Sequence, residues 1–168
     1  MSKRLIIHDL LPDKIEALLS GAAGEYTVFP AQPAIRSCMG CFGCWFDTPG
    51  ECVIDDRGKE FAAMISGHDE FLVISRIVFG GLSPAVKTVI ERSIGNLSPF
   101  FRIVNGEMHH IMRYETNPCL RYIFYGQNIG AREKETACKL TAANALNFGA
   151  EKFSVSFYPS ADEIEALL

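Results

Sequence analysis

The chain has no excess of positive charge, no long apolar run, no internal repeat and no low-complexity tract. Its 16 Lys and Arg stand against 20 Asp and Glu, a net charge of −4, so no basic stripe exists to meet a phosphate backbone and no nucleic-acid partner is expected. No apolar stretch approaches the roughly 18–20 residues that a membrane-crossing helix needs, so no membrane partner is expected either. The charged start Met1-Ser2-Lys3-Arg4 lacks the apolar run of a secretory signal, which makes the cytoplasm the expected location. What remains is 168 residues, 48% of them hydrophobic, enough for a single domain that buries about two-thirds of its unfolded surface.

Cysteine, by contrast, is plentiful and concentrated. Four of the six fall in one loop, Cys38, Cys41, Cys44 and Cys52, with the spacing C-x2-C-x2-C-x7-C. Thiolates this close in sequence can point at one centre, and an iron–sulfur cubane takes four of them, one per iron. Three other readings stay open. A disulfide framework suits an oxidising compartment that nothing here indicates. Structural zinc usually takes two ligand pairs separated by a dozen or more residues, which fits three consecutive two-residue gaps less well. Unligated thiols in a loop need no further condition. The run also differs from a bacterial ferredoxin motif, because seven residues precede Cys52 and Val53, not proline, follows it.

Around that loop the pattern alternates between strands and helices. Leu5-Ile6-Ile7, Tyr26-Thr27-Val28-Phe29, Phe71-Leu72-Val73-Ile74, Tyr122-Ile123-Phe124-Tyr125 and residues 153–157 read as five strands. Helices are expected over 13–19 with Asp13 as cap, after a cap at Asp56 with Phe61, Met64 and Ile65 inward, from Ser83-Pro84-Ala85 to Gly95, and over 132–148. Residues 96–120 show no clean periodicity and read as an irregular excursion. The alternation predicts an α/β domain, a doubly wound five-stranded parallel sheet of order 2-1-3-4-5 with helices on both faces. Ligands then belong at the carboxyl ends of the strands, in the loops over 8–12, 75–81 and 126–131.

Several further side chains carry weaker signals. Trp45 either shields a cluster or anchors its loop; His109 and His110 suit surface or interface packing; Cys119 and Cys138 read as ordinary buried thiols. Pro99-Phe100-Phe101, Ile103-Val104 and Ile111-Met112 put more apolar side chain in the excursion than a loop normally exposes, and a second subunit is expected to cover it.

Two stretches carry a family resemblance: Cys38-Met39-Gly40-Cys41-Phe42-Gly43-Cys44-Trp45 through Gly50-Glu51-Cys52-Val53-Ile54-Asp55-Asp56, and Ser75-Arg76-Ile77-Val78-Phe79-Gly80-Gly81-Leu82-Ser83-Pro84 onward to Arg92. The chain resembles the flavodoxin-like NAD(P)H-dependent FMN reductases, especially the iron–sulfur flavoproteins among them. The resemblance implies a flavodoxin-like fold, a homodimer or higher homo-oligomer, and FMN held by Ser75, Arg76, Ile77, Val78, Phe79, Gly80 and Gly81. It further implies a 4Fe–4S cluster on Cys38, Cys41, Cys44 and Cys52, with electrons passed between flavin, cluster, NAD(P)H and a soluble carrier. In that setting Arg76 stabilises an anionic reduced flavin or is simply solvated. The chain departs from the family after the first strand, where His8-Asp9-Leu10-Leu11-Pro12-Asp13 replaces a loop rich in Ser, Arg and Asn. Pro12 removes an N–H donor and two carboxylates oppose a phosphate, with His8 a weak offset near neutral pH, so FMN is expected to bind more weakly here.

Overall fold

Two apolar runs lie at the centre of the molecule because each is hidden on both faces. In strand β1 (Lys3–His8) and strand β3 (Glu70–Arg76), Leu5, Ile6, Ile7, Leu72, Val73 and Ile74 are each at most 1% exposed. The structure, a computed structural model, describes residues 3–115 and 117–164. Strands β2 (Glu25–Pro30), β6 (Cys119–Tyr125) and β7 (Lys152–Tyr158) complete a sheet of order β2-β1-β3-β6-β7. All its pairings are parallel, and counted within the sheet the order is the expected 2-1-3-4-5. Leu5, Ile7, Phe71 and Val73 pack on one side with helices α3 (Phe61–Ser66), α4 (Pro84–Glu91) and α5 (Ala131–Asn147). Ile6, Leu72 and Ile74 pack on the other with α1 (Pro12–Leu19) and Ile164.

The helix ends correct three expectations. Ser83 caps α4 as expected, its Oγ accepting from the Val86 N–H at 3.4 Å, with Pro84 in the first turn. The α-helix stops at Glu91, however, and a 3₁₀ turn carries Arg92–Asn96. Gly95 shows what that turn accommodates: a side chain there would come within 3.2 Å of Ala62 Cβ and 3.3 Å of Cys44 Cβ. Asp13 is not a cap, since the N-cap of α1 is Leu11 without a side-chain bond and Pro12 is its first residue. Nor does Asp56 cap α3, whose N-cap is Glu60, because its carboxylate is engaged by Arg92.

Within the stretch expected to be irregular, residues 97–112 form a regular hairpin. Strands β4 (Leu97–Val104) and β5 (Glu107–Met112) pair antiparallel, joined by Asn105 and Gly106 at φ 53° and 84°. Both positive angles suit a two-residue hairpin turn, whose twist matches that of the strands. Phe100, Phe101, Ile103 and Met108 of this arm are 57–70% exposed. Cys138, expected to be buried, lies exposed on α5, and Cys119 is half-buried. Among the described residues no helix is long and apolar enough to cross a membrane.

Candidate functional site

The four cysteines of the loop line one small cavity of about 30 Å³, with Met39, Ile54, Ala62, Arg92, Ile94 and Gly95 among its other walls. Their convergence is built by backbone geometry. Gly40 at φ 68° and Phe42 at φ 57° turn the chain on either side of Cys41, and helix α2 (Gly43–Phe46) then presents Cys44. The Gly50 N–H donates to Cys44 O at 2.9 Å and the Cys52 N–H to Lys59 O at 3.0 Å, which brings the fourth cysteine back to the first three. Burial pushes the Cys44 thiol up, and Cys52, Cys38 and Cys41 push it further because a thiolate there would face theirs. Among the described residues no three His, Cys, Asp or Glu side chains group as a single-ion site. A cubane spreads its thiolates over four irons and asks for a wider set than zinc does.

Polar anchors fix the loop to the rest of the domain. Trp45 donates from Nε1 to Ile94 O at 3.0 Å and packs on the His110 ring at 4.7 Å, and His110 in turn packs on Phe101 at 4.5 Å, so the tryptophan ties the cysteine loop to the hairpin. Arg113 donates to Gly95 O at 2.9 Å and to Cys44 O at 3.4 Å. Arg92, its side chain fully buried, makes two 3.0 Å bonds to the Asp56 carboxylate and one of 2.8 Å to Arg36 O. Burial opposes its charge, but Asp56 and the Cys52 thiol together raise its pKa. It thus puts a permanent positive charge beside one cysteine of the set.

At the switch point the structure adds contacts that the sequence did not reveal. Asp9, just past β1, accepts from the Arg76 N–H with both oxygens at 3.1 Å and from the Tyr125 hydroxyl at 3.0 Å, bridging the ends of β1, β3 and β6. Burial and the nearby Asp9 charge push the Tyr125 phenol well above its ordinary value, so it stays protonated and donates. His8 Nδ1 accepts from the Leu10 N–H at 3.1 Å, which leaves the proton on Nε2, a buried atom with no partner among the described residues. Burial lowers the His8 pKa against a smaller upward pull from Asp9, so the ring is neutral near pH 7 and supplies no positive charge.

Residues 75–81 form a tight turn. The Ser75 hydroxyl accepts from the Ser83 N–H at 2.8 Å, the Ile77 N–H donates to Tyr125 O at 2.9 Å, and Val78 and Gly81 exchange backbone bonds of 3.0 and 2.9 Å. With Asp9 holding Arg76, most of the N–H groups expected to meet a ligand are already engaged inside the protein. Phe79 and Gly80 form the tip at φ 51° and 77°. Gly80 is required there, since a Cβ would sit 2.7 Å from Thr136 Cβ. Phe79 is held left-handed at a cost on the order of 1–3 kcal/mol and leaves its ring 93% exposed.

The two sets of residues line adjoining clefts. Cys38, Gly40 and Ile94 line both the cysteine cavity and a cleft beside α4. That cleft shares Ile90, Glu91 and Asn144 with a further cleft walled by Val78, Phe79, Gly80 and Gly81. The three clefts thus adjoin through shared walls, from the thiols past Ile90 and Glu91 at the end of α4 to the turn.

No protein-family model and no curated protein sequence matches the chain. Solved structures do resemble it. An azoreductase from Bacillus anthracis str. Sterne superposes with a TM-score of 0.63 at 13% identity, over 94% of this chain and 86% of that one. An NAD(P)H:quinone oxidoreductase from Methanothermobacter marburgensis gives 0.61 at 14%, over 93% and 85%. An FMN-dependent NADH-azoreductase from Bacillus anthracis str. Ames Ancestor, solved in complex with FMN, gives 0.54 at 10%, over 94% and 86%. Likeness at these identities is one of architecture: the chain has the flavodoxin-like α/β fold, shared with these reductases.

Proposed function

We propose that this chain is an electron-transfer oxidoreductase of the reducing cytoplasm in which Cys38, Cys41, Cys44 and Cys52 hold a 4Fe–4S cluster. Electrons would pass between that cluster, a flavin ring at residues 75–81, and NAD(P)H or a soluble carrier. The observation that carries the proposal is that the four thiols line a single cavity, and that adjoining clefts past the end of α4 connect its walls to those around the exposed Phe79 ring. Two features support this reading: four thiols on one loop line one cavity, and a cationic guanidinium beside Cys52 offsets thiolate charge. When bound, the cluster supplies one-electron chemistry.

The chain's own residues supply the setting. Trp45 holds the loop closed on the 3₁₀ turn, Arg92 counters thiolate charge at Cys52, and Phe79 offers an aromatic face for stacking. The phosphate end of FMN does not fit the observed β1–α1 loop, where Asp9 already takes the Arg76 N–H and Tyr125 hydroxyl. That single mismatch favours a second reading, a flavin-free metal-binding or redox-sensing module that keeps the fold. Absorption and electron paramagnetic resonance spectra after anaerobic reconstitution with iron, sulfide and flavin separate the two. Cluster and flavin signals together support the first, a cluster alone supports the second, and neither signal overturns both.

We also propose a homodimer formed through the hairpin, a second copy covering Phe100, Phe101, Ile103 and Met108. An exposed two-stranded arm rich in apolar side chain is self-complementary when two copies meet about a two-fold axis. Light scattering at micromolar concentration is expected to give at least twice the 18.6 kDa of one chain, and Phe100→Ser with Phe101→Ser to halve it. A single-chain mass for the unaltered protein rules the interface out.

A further inference from the structure

We infer that the flavin accepted by this chain is one without a phosphate, because the carboxylate of Asp9 holds the place where a phosphate would have to bind. The inference rests on the proposed flavin site and narrows its ligand to isoalloxazines with an uncharged side chain, riboflavin being the simplest.

The argument starts from position. In a sheet of this order ligands sit outside the carboxyl ends of the strands at the switch point between β1 and β3. A phosphate is held there by uncommitted N–H groups at the start of the helix that follows β1. Few of those donors remain: the Asp9 N–H goes to Ile74 O, the Leu10 N–H goes to His8 Nδ1, and Pro12 has none, which leaves the N–H groups of Leu11 and Asp13 on the stretch that carries both carboxylates. The neighbouring donors from β3 and β6, the Arg76 N–H and the Tyr125 hydroxyl, converge on Asp9 itself. The carboxylate is thus an anion supplied by the protein, bonded as a ligand's phosphate would be. A phosphorylated flavin entering the switch point would have to displace it or lie against it, with Asp13 adding a second negative charge in the first turn of α1. His8, neutral and already accepting, offsets nothing. The cleft at Phe79 and Gly80 is unaffected, so a ring without a charged tail meets no such opposition.

The test is a titration of the reconstituted protein with riboflavin and with FMN, followed by flavin fluorescence, repeated for Asp9→Asn and Tyr125→Phe. Asn keeps the size and an acceptor oxygen while removing the charge; Phe removes a donor and leaves the charge. The unaltered chain is expected to bind riboflavin at least as tightly as FMN. Asp9→Asn should tighten FMN by about tenfold or more, the scale of one charge repulsion in a partly wet site, with riboflavin nearly unchanged as the check on folding. Tyr125→Phe should give no comparable gain. FMN bound tenfold more tightly than riboflavin by the unaltered chain, or an Asp9→Asn variant that gains nothing for FMN, overturns the inference while leaving the flavin site standing. If neither flavin binds any of the three chains, the flavin reading itself fails and the inference falls with it.

Discussion

Cys41→Ser, reconstituted anaerobically with iron and sulfide, is expected to retain a small fraction of the iron taken up by the unaltered chain and to lose most of its visible charge-transfer absorption. A cubane uses one thiolate for each iron, and a serine hydroxyl is a far harder, more basic donor. The substitution isolates ligation from folding because Cys41 is exposed and the turns on either side of it are set by Gly40 and Phe42. Cys138→Ser is the matching control: that thiol is exposed on α5, outside the cavity, and its loss should leave iron content unchanged. Equal iron in the Cys41 variant and the unaltered chain, or none in either, would remove the cysteine assignment and with it the proposed electron transfer.

The parts of this molecule legible in its sequence are those whose causes are local. Leu5-Ile6-Ile7 and Phe71-Leu72-Val73-Ile74 are apolar without alternation because both faces of the central strands are covered, and that alone places them in the middle of a parallel sheet. Ser83-Pro84 signals a helix start by sterics and one hydrogen bond. The hairpin carried a local signal too: Asn105-Gly106, the dipeptide that best tolerates two successive positive φ angles, stands between two runs rich in β-formers. The aromatic and histidine content of those runs obscured it, since Phe100, Phe101, His109 and His110 do not alternate with polar residues as a half-buried strand does.

The site divides in the same way. Four cysteines within 15 residues announce a shared centre, because short loops close cheaply. Asp9 and Tyr125, separated by 116 positions, meet only because the sheet order brings β1 and β6 to either side of β3. The sequence shows Asp9 as a charge in the loop after β1 but not its partners, and the cap signals at Asp13 and Asp56 correspond to no cap in the structure. Asp56 is bound 36 residues away by Arg92, a pairing that no pattern along the chain could indicate.

That pair yields the other large effect. Arg92→Met is expected to destabilise the protein by about 3–5 kcal/mol, the range for breaking a buried ion pair at one end, against a total stability of roughly 5–15 kcal/mol for a domain. Methionine fills much of the space but leaves the Asp56 carboxylate and Arg36 O without their donor, and it frees the segment between residues 36 and 56 that carries every cysteine of the site. Acid should expose the same interaction. Burial alone would raise the Asp56 carboxyl, but the Arg92 guanidinium and the Arg36 and Gly58 N–H groups outweigh it and bring its pKa to about 2. The folded value lies below the unfolded one near 3.9, so the stabilisation is complete above about pH 4 and is lost as pH falls toward 2. Urea denaturation between those pH values should show the unaltered chain weakening steadily through this window, while Arg92→Met, already lacking the interaction, loses less stability over the same range. A variant within about 1 kcal/mol of the unaltered chain at neutral pH, with the same acid limb, would mean that Arg92 is held by its neighbours without holding them.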